Sequence, residues 1–316
     1  MKDFELAMTA AVRRAYEQAE GIARERMPHL YRVARLFPDR ERFLAFCALY
    51  ASMRWIDDRV DDGLSSAREL ERWEESIDAA YAGDDPGQSF GPALVHTFAH
   101  FQLSPEPWRR LREAMSYDLG AGGFAAYEDF LDYAEGATVA PASIFATLLL
   151  MRPEDKMFRP LVSYENIRDA VRPAAVACYE IHILRDAKED LAAGRNYFPG
   201  SELRAFRLNP HNGLTPAWRP YLRAYGMRVR GGWIPALESL ESLEGDMTER
   251  ERLMLHVLVE FYGQSLAKIS RLNYDVWSDI HWPEPREVAK LLADLALRYE
   301  PGADLRELAV KVVEDV

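Results

Sequence analysis

Cysteine is scarce in this chain. Cys47 and Cys178 are the only two among 316 residues, too few and too far apart for a disulfide framework or a zinc-ligand spacing, which points to a reducing compartment. Long apolar runs are also missing. Pro86 to Pro105 is uncharged but rich in Pro, Gly, Gln and His, and Gly136 to Met151 stops short of the roughly 18 residues a membrane span needs and contains Pro141. Met1 to Arg14 has charges scattered through it and no apolar centre, so it reads neither as a signal peptide nor as an anchor. The expectation is a cytoplasmic protein that touches a membrane at most peripherally. Nor is there an excess of basic charge: 39 Lys and Arg stand against 51 Asp and Glu, a net charge of −12. That argues against a nucleic-acid partner, because phosphate recognition needs a basic face. No Ser/Gly-rich linker, low-complexity run or internal repeat divides the chain, so residues 1–316 are read as one domain.

Alternating strand patterns are nearly absent, whereas apolar residues recur at helical spacing in about ten segments. These include Glu41 to Asp62, Tyr127 to Glu135, Pro173 to Ala193, Glu249 to Trp277 and Glu284 to Tyr299. Helix-ending chemistry separates them: Asp85-Pro86-Gly87, Arg152-Pro153, Ala193-Gly194, Phe198-Pro199-Gly200 and Trp282-Pro283. The fold class is all-α. The helix expected to open at Pro173 carries Ala174, Ala175, Ala177 and Cys178, small residues suited to the wall of a cavity.

The segment Tyr50 to Asp62 places Asp57 and Asp61 on one helical face, beyond Met53, Arg54 and Tyr50. Two like charges side by side need solvent or a cation, and paired carboxylates suit Mg²⁺ together with water and phosphate oxygens. Alone, the pair reads more readily as a solvated acidic helix end. A second helix repeats the design, however: Ala174, Cys178, His182, Asp186 and Asp190 follow one another at spacing four. Two such helices facing each other enclose an apolar interior with a metal-binding rim, which suits a long hydrocarbon with a diphosphate head. Arg54, Arg185, Lys188 and Arg195 are the cations at hand to complete neutralisation. No Glu-x-x-His pairs of a di-iron bundle are present.

The chain resembles the squalene and phytoene synthase family, the head-to-head prenyl transferases. Tyr50, Arg54, Asp57, Asp58 and Asp61 match that family's Tyr-x-x-x-Arg-x-x-Asp-Asp-x-x-Asp. Leu184, Arg185, Asp186, Glu189 and Asp190, followed by Gly194, Arg195, Tyr197 and Pro199, match its Leu-Arg-Asp-x-x-Glu-Asp and Gly-Arg-x-Tyr-x-Pro. Weaker likeness covers Met115 with Asp118-Leu119, Tyr133 with Thr138-Val139, and Tyr262 with Asn273-Tyr274. The resemblance implies an isoprenoid-synthase fold and condensation of two farnesyl or geranylgeranyl diphosphates through a cyclopropylcarbinyl diphosphate. It implies Mg²⁺, with Mn²⁺ as the alternative, held by Asp57, Asp61, Asp186 and Asp190. Arg54, Arg185 and Arg195 are implied as diphosphate contacts, and Tyr133, Tyr197 and Tyr262 as catalytic residues beside the cation; from their own position in the sequence, His182 is read as a further diphosphate contact or metal ligand, and Tyr50, Tyr179 and Cys178 as cavity lining. Hydride from NADPH gives a squalene-type product and proton loss a phytoene-type one, and the sequence leaves both open, with chain length and oligomeric state. Two other readings stand beside it: a single-substrate terpene synthase, and a non-catalytic prenyl-binding or assembly protein.

The departures are local. Tyr179 and His182 stand where the family has Gln and Asn. Arg26-Met-Pro-His29-Leu30 replaces a Ser-rich N-terminal signature, making Arg26 and His29 candidates to cover a diphosphate. Ala137-Thr138-Val139-Ala140-Pro141 replaces a Gly-Thr-Val-Gly turn. A basic segment after the last cavity helix is replaced by one beginning at Ser278.

Overall fold

The computed structural model describes residues 4, 8–61, 66–120, 123–277 and 283–312, without the side chains of residues 61, 285, 309, 310 and 312. Helices run α1 (Ala10–Arg26), α2 (Pro28–Ala34), α3 (Arg40–Asp61), α4 (Ala67–Ala82), α5 (Gly91–His100), α6 (Glu106–Gly120) and α7 (Tyr127–Ala134). A π-helical turn (Glu135–Val139) joins α7 to α8 (Ala140–Leu149). After a hairpin of β1 (Met151–Glu154) and β2 (Met157–Pro160) come α9 (Tyr164–Ala192), α10 (Gly200–Ala205), α11 (Arg219–Glu238), α12 (Glu241–Glu244), α13 (Glu249–Arg271), α14 (Pro285–Tyr299) and α15 (Leu305–Val312).

The all-α expectation holds, with three corrections. The helix expected to open at Pro173 begins nine residues earlier, where Ser163 caps it by accepting from the Asn166 amide; Pro173 lies inside. Proline is read as a helix start because it lacks the N–H that an interior position uses. Here the surrounding apolar stripe, Ile167, Ala170 and Val171 before it and Ala174 after it, buries the helix on both sides of the proline. The Ser239 hydroxyl also donates to the Ala170 carbonyl (2.8 Å), tying this stretch to the end of α11. Second, the helices do break at Arg152-Pro153, but with a strand that was not expected, paired antiparallel with Met157–Pro160, Met151 opposite Pro160. Four-residue strands are too short to show alternation. Third, the stretch expected to turn at Ala137 to Pro141 stays helical, in the π turn as far as Val139 and in the first turn of α8 from Ala140. Gly136 sits so close to α6 that a β-carbon there would fall 1.9 Å from the Arg110 carbonyl oxygen; the glycine lets the π turn lie against that helix.

Helix α9 is the centre of the molecule, packed by α8, the π turn, α11 and α13, with Ile167, Ile181 and Leu184 fully buried. On the far side, α3 packs against α1 and α5. There His96 is buried and exchanges a hydrogen bond through Nδ1 with the Tyr16 hydroxyl (3.0 Å). Burial, with His100 beside it, lowers its pKa from 6.5 to about 4. The native imidazole therefore stays neutral where the unfolded chain already binds a proton, so stability falls as pH drops from 6.5 to about 4. The loss expected from His96 is up to about 3 kcal/mol, at 1.36 kcal/mol per unit. Thermal unfolding of the protein and of His96→Gln across this window checks it: the variant should show the flatter decline, and equal declines would exclude His96 as a source.

Candidate active site

The inner faces of α3, α6, α8, α9 and α13 enclose a cavity of about 760 Å³, within the range of small-molecule sites. Its apolar wall follows from helical spacing. Helix α3 contributes Phe46, Tyr50 and Met53, α9 contributes Ala174 and Cys178, and α13 contributes Leu255, Leu258 and Tyr262. Of the sequence-derived candidates, Tyr50, Arg54, Asp57, Tyr133, Cys178, Tyr179, His182, Arg185, Asp186, Asp190, Arg195, Tyr197 and Tyr262 line this one space, whereas Arg26, His29, Asp61 and Lys188 are not among its lining residues. Asp61 is the last residue of α3, and its side chain lies outside the described residues. Lys188 is exposed and does not line the cavity.

Charge gathers where α3 and the C-terminal half of α9 meet the cavity. Arg54 bonds Asp57 (2.5 Å) and also pairs with Asp58. Arg185 grips Asp186 through Nε and Nη2 (2.5 and 2.6 Å), and His182 Nε2 lies 2.7 Å from the same carboxylate. Arg195 reaches Asp190 at 3.0 Å. The two carboxylates of the α9 stripe are thereby driven apart. Burial pushes both upward, but the Arg185 and His182 hydrogen bonds outweigh it at Asp186 and hold that carboxyl well below the usual range, whereas Asp190 stays raised despite Arg195.

Among the described residues, no three His, Cys, Asp or Glu side chains are grouped closely enough to hold a metal ion. The donor set still fits Mg²⁺, which keeps several waters and binds through one or two carboxylates plus substrate phosphates rather than in an all-protein cage. Asp57 on one helix and Asp186 and Asp190 on the other are hard oxygen donors lining one space.

Deeper in, three phenols cluster. The Tyr133 hydroxyl donates to Asp118 (2.9 Å) and receives from Tyr179 (3.3 Å), and the Tyr133, Tyr179 and Tyr197 rings lie 6.1 to 6.4 Å apart. Burial raises the pKa of Tyr133 and Tyr179 well above 10 and that of Tyr262 to about 12. These residues stay neutral and offer ring faces rather than phenolate charge. Cys178 is likewise held as a thiol by burial. Asp118, which sequence reasoning met only as part of a weak match, is the anchor of this cluster. Of the two N-terminal candidates, Arg26 pairs with Asp58 (3.1 Å) beside the charged end. His29 does not line the cavity; its ring lies 5.8 Å from that of Phe261.

The helical shell is that of an isoprenoid synthase. The crystal structure of a dehydrosqualene synthase in complex with ligand is similar, with a TM-score of 0.76 at 16% identity, covering 92% of this chain and 98% of that one. Squalene synthase HpnC from Alicyclobacillus acidocaldarius gives 0.69 at 22% identity, over 84% and 97%. The squalene/phytoene synthase family model matches residues 23–287, and the chain belongs to that family, whose members are prenyltransferases. Similar curated proteins include the 15-cis-phytoene synthase of Synechococcus elongatus, 26% identical over 85% of this chain and 88% of that protein. The phytoene synthase of Arthrospira platensis is 25% identical, over 84% and 86%.

Proposed function

We propose that this protein condenses two prenyl diphosphates head to head into a squalene-, dehydrosqualene- or phytoene-type hydrocarbon, with Mg²⁺ as the metal. The observation that carries the reading is the pairing of Arg54 and Asp57 on α3 with Arg185, Asp186 and Asp190 on α9 at the polar end of one apolar cavity. Asp57, Asp186 and Asp190 would hold the metal, with Asp61 completing the first motif in sequence. When bound, Mg²⁺ neutralises diphosphate charge and improves it as a leaving group.

The chain's own residues do the rest. Arg54, Arg185 and Arg195 bind and orient the diphosphates, each now compensated by an aspartate that a phosphate oxygen replaces. As the carbon–oxygen bond of the first substrate breaks, pyrophosphate takes the electron pair and leaves an allylic cation. The double bond of the second substrate attacks it, and loss of one proton closes the cyclopropane ring of a cyclopropylcarbinyl diphosphate. Tyr133, Tyr179, Tyr197 and Tyr262 line the space where that charge travels, and an aromatic face attracts a nearby cation by about 1–2 kcal/mol when water is excluded. The apolar wall keeps water from quenching it.

Incubating the protein with farnesyl or geranylgeranyl diphosphate, Mg²⁺ or Mn²⁺, and NADPH present or withheld, tests this by mass analysis of the organic extract. A C30 or C40 hydrocarbon that requires the metal is expected, and whether NADPH changes it separates reduction from proton loss. A C15 or C20 product alone would assign single-substrate ionisation instead. Metal-dependent binding without turnover would overturn the enzymatic reading.

A further inference from the structure

The deep end of the cavity does not close on solid protein. Just before α8, the Thr138 hydroxyl donates to the Ala175 carbonyl of α9 (3.2 Å), and α8 ends at the hairpin that leads into the first turn of α9. The C-terminal half of α8 therefore lies away from the aspartates. Val171 marks that end on α9, fifteen residues before Asp186 and so about 22 Å from it at roughly 1.5 Å per residue. Ile144 stands there on α8. Among the described residues it is the one that lines both the main cavity and a second space of about 230 Å³. The second space continues the first along the same two helices. On α8, Thr147 follows Ile144 by three residues, and on α6 Trp108 precedes the cavity residue Leu111 by three, so each pair shares a helix face.

Polar groups around the second space are engaged elsewhere. The Thr147 hydroxyl donates to the Ser143 carbonyl (2.7 Å), the Trp108 indole N–H to the Tyr81 hydroxyl (3.1 Å), and the Ser104 hydroxyl accepts from the Glu106 amide (3.2 Å). Gln102 and Glu165 are exposed, and Gln102 is held by Arg159 (2.9 Å). What Trp108, Thr147, Pro107 and Leu103 offer inward is carbon surface, which suits the end of a hydrocarbon chain rather than a polar ligand. We propose that Ile144 sets the longest prenyl chain this cavity accepts, standing between the terminal isoprene unit and the second space. At 6% exposure its side chain is packed in place, and a packed wall resists even one added methylene. Shortening it joins the two spaces along the helix faces they already share. The inference deepens the reading given above and rests on it, since it concerns the hydrocarbon end of the same substrates.

Binding of the slowly ionising thiodiphosphates of farnesol (C15), geranylgeraniol (C20) and geranylfarnesol (C25), with Mg²⁺, tests this without turnover. The full-length protein should lose affinity at one step of the series. Ile144→Ala should bind the first excluded length at least tenfold more tightly, relative to the next shorter one, because a single methylene in a fitted apolar pocket is already worth about 10–200-fold. Ile144→Val should move the ratio the same way by less, and it serves where thermal unfolding shows the alanine variant unfolded. Thr147→Leu fills the second space from its far side. Alone it should leave the length ranking unchanged, and combined with Ile144→Ala it should cancel the gain. The proposal is overturned by a native protein that binds all three lengths equally, by Ile144 variants with the native ranking, or by a gain that Thr147→Leu does not cancel. In each of those cases binding itself persists and the prenyl diphosphate reading stands. If the native protein binds none of the three, that reading fails and this inference falls with it.

Discussion

Asp186→Asn is expected to lower turnover at least a hundredfold to a thousandfold, the range found when one preorganised electrostatic group is removed from an active site. The neutral amide can neither share its charge with a cation nor balance Arg185. From the sequence, with two aspartates repelling each other, such a variant should lose little stability. The structure makes the loss larger at Asp186. Asp186 accepts two hydrogen bonds from the buried Arg185 and lies 2.7 Å from His182 Nε2, and its carboxyl is held well below the ordinary range. A depressed carboxylate contributes stability that is present above its unfolded value, 3.8, and lost as pH falls through the folded one. Asp186→Asn should therefore cost about 1–3 kcal/mol, the worth of charged hydrogen bonds. Asp57→Asn should cost less, because its Arg54 partner is only partly buried and also holds Asp58. Steady-state kinetics and thermal unfolding of both variants check the pair of effects. Undiminished activity in either variant would remove that aspartate from the metal-binding rim.

The stripe Ala174, Cys178, His182, Asp186 and Asp190 was legible because helical spacing alone puts those residues on one face, and the structure places all five against the cavity. The beginning of that helix was not legible, since nine residues before Pro173 are mostly polar and only tertiary burial of Ile167, Ala170 and Val171 holds them helical. Partners distant in sequence were equally out of reach. Nothing in Met115 to Leu119 says that Asp118 receives the Tyr133 hydroxyl fifteen residues on. Similarly, nothing in Arg26-Met-Pro-His29 says that the arginine, rather than the histidine, meets the first acidic motif at Asp58.

Exchanging Tyr179→Gln and His182→Asn, singly and together, is expected to change both metal dependence and product distribution without unfolding the protein. His182 occupies one oxygen of Asp186 at 2.7 Å, so a cation approaching that carboxylate competes with the imidazole. Removing it should lower the Mg²⁺ concentration for half-maximal turnover about tenfold, since groups bonded to a ligand commonly shift metal affinity by 10–100-fold. It should also reduce any advantage of Mn²⁺, because imidazole favours softer divalent ions than carboxylate does. Tyr179 acts elsewhere. Its ring lies parallel to Phe130 at 6.1 Å and edge-on to Tyr197 and His182, and its hydroxyl is tied through Tyr133 to Asp118. Replacing this phenol by a flexible amide withdraws one aromatic face from the space where cationic charge must be held. Tyr179→Phe, which keeps the ring and loses only the hydroxyl, should retain the product ratio that Tyr179→Gln alters. If both substitutions leave the ratio unchanged, Tyr179 is packing and the cation is held by Tyr133, Tyr197 and Tyr262. If His182→Asn leaves the metal dependence unchanged, Asp186 meets the metal through the oxygen that the imidazole does not touch.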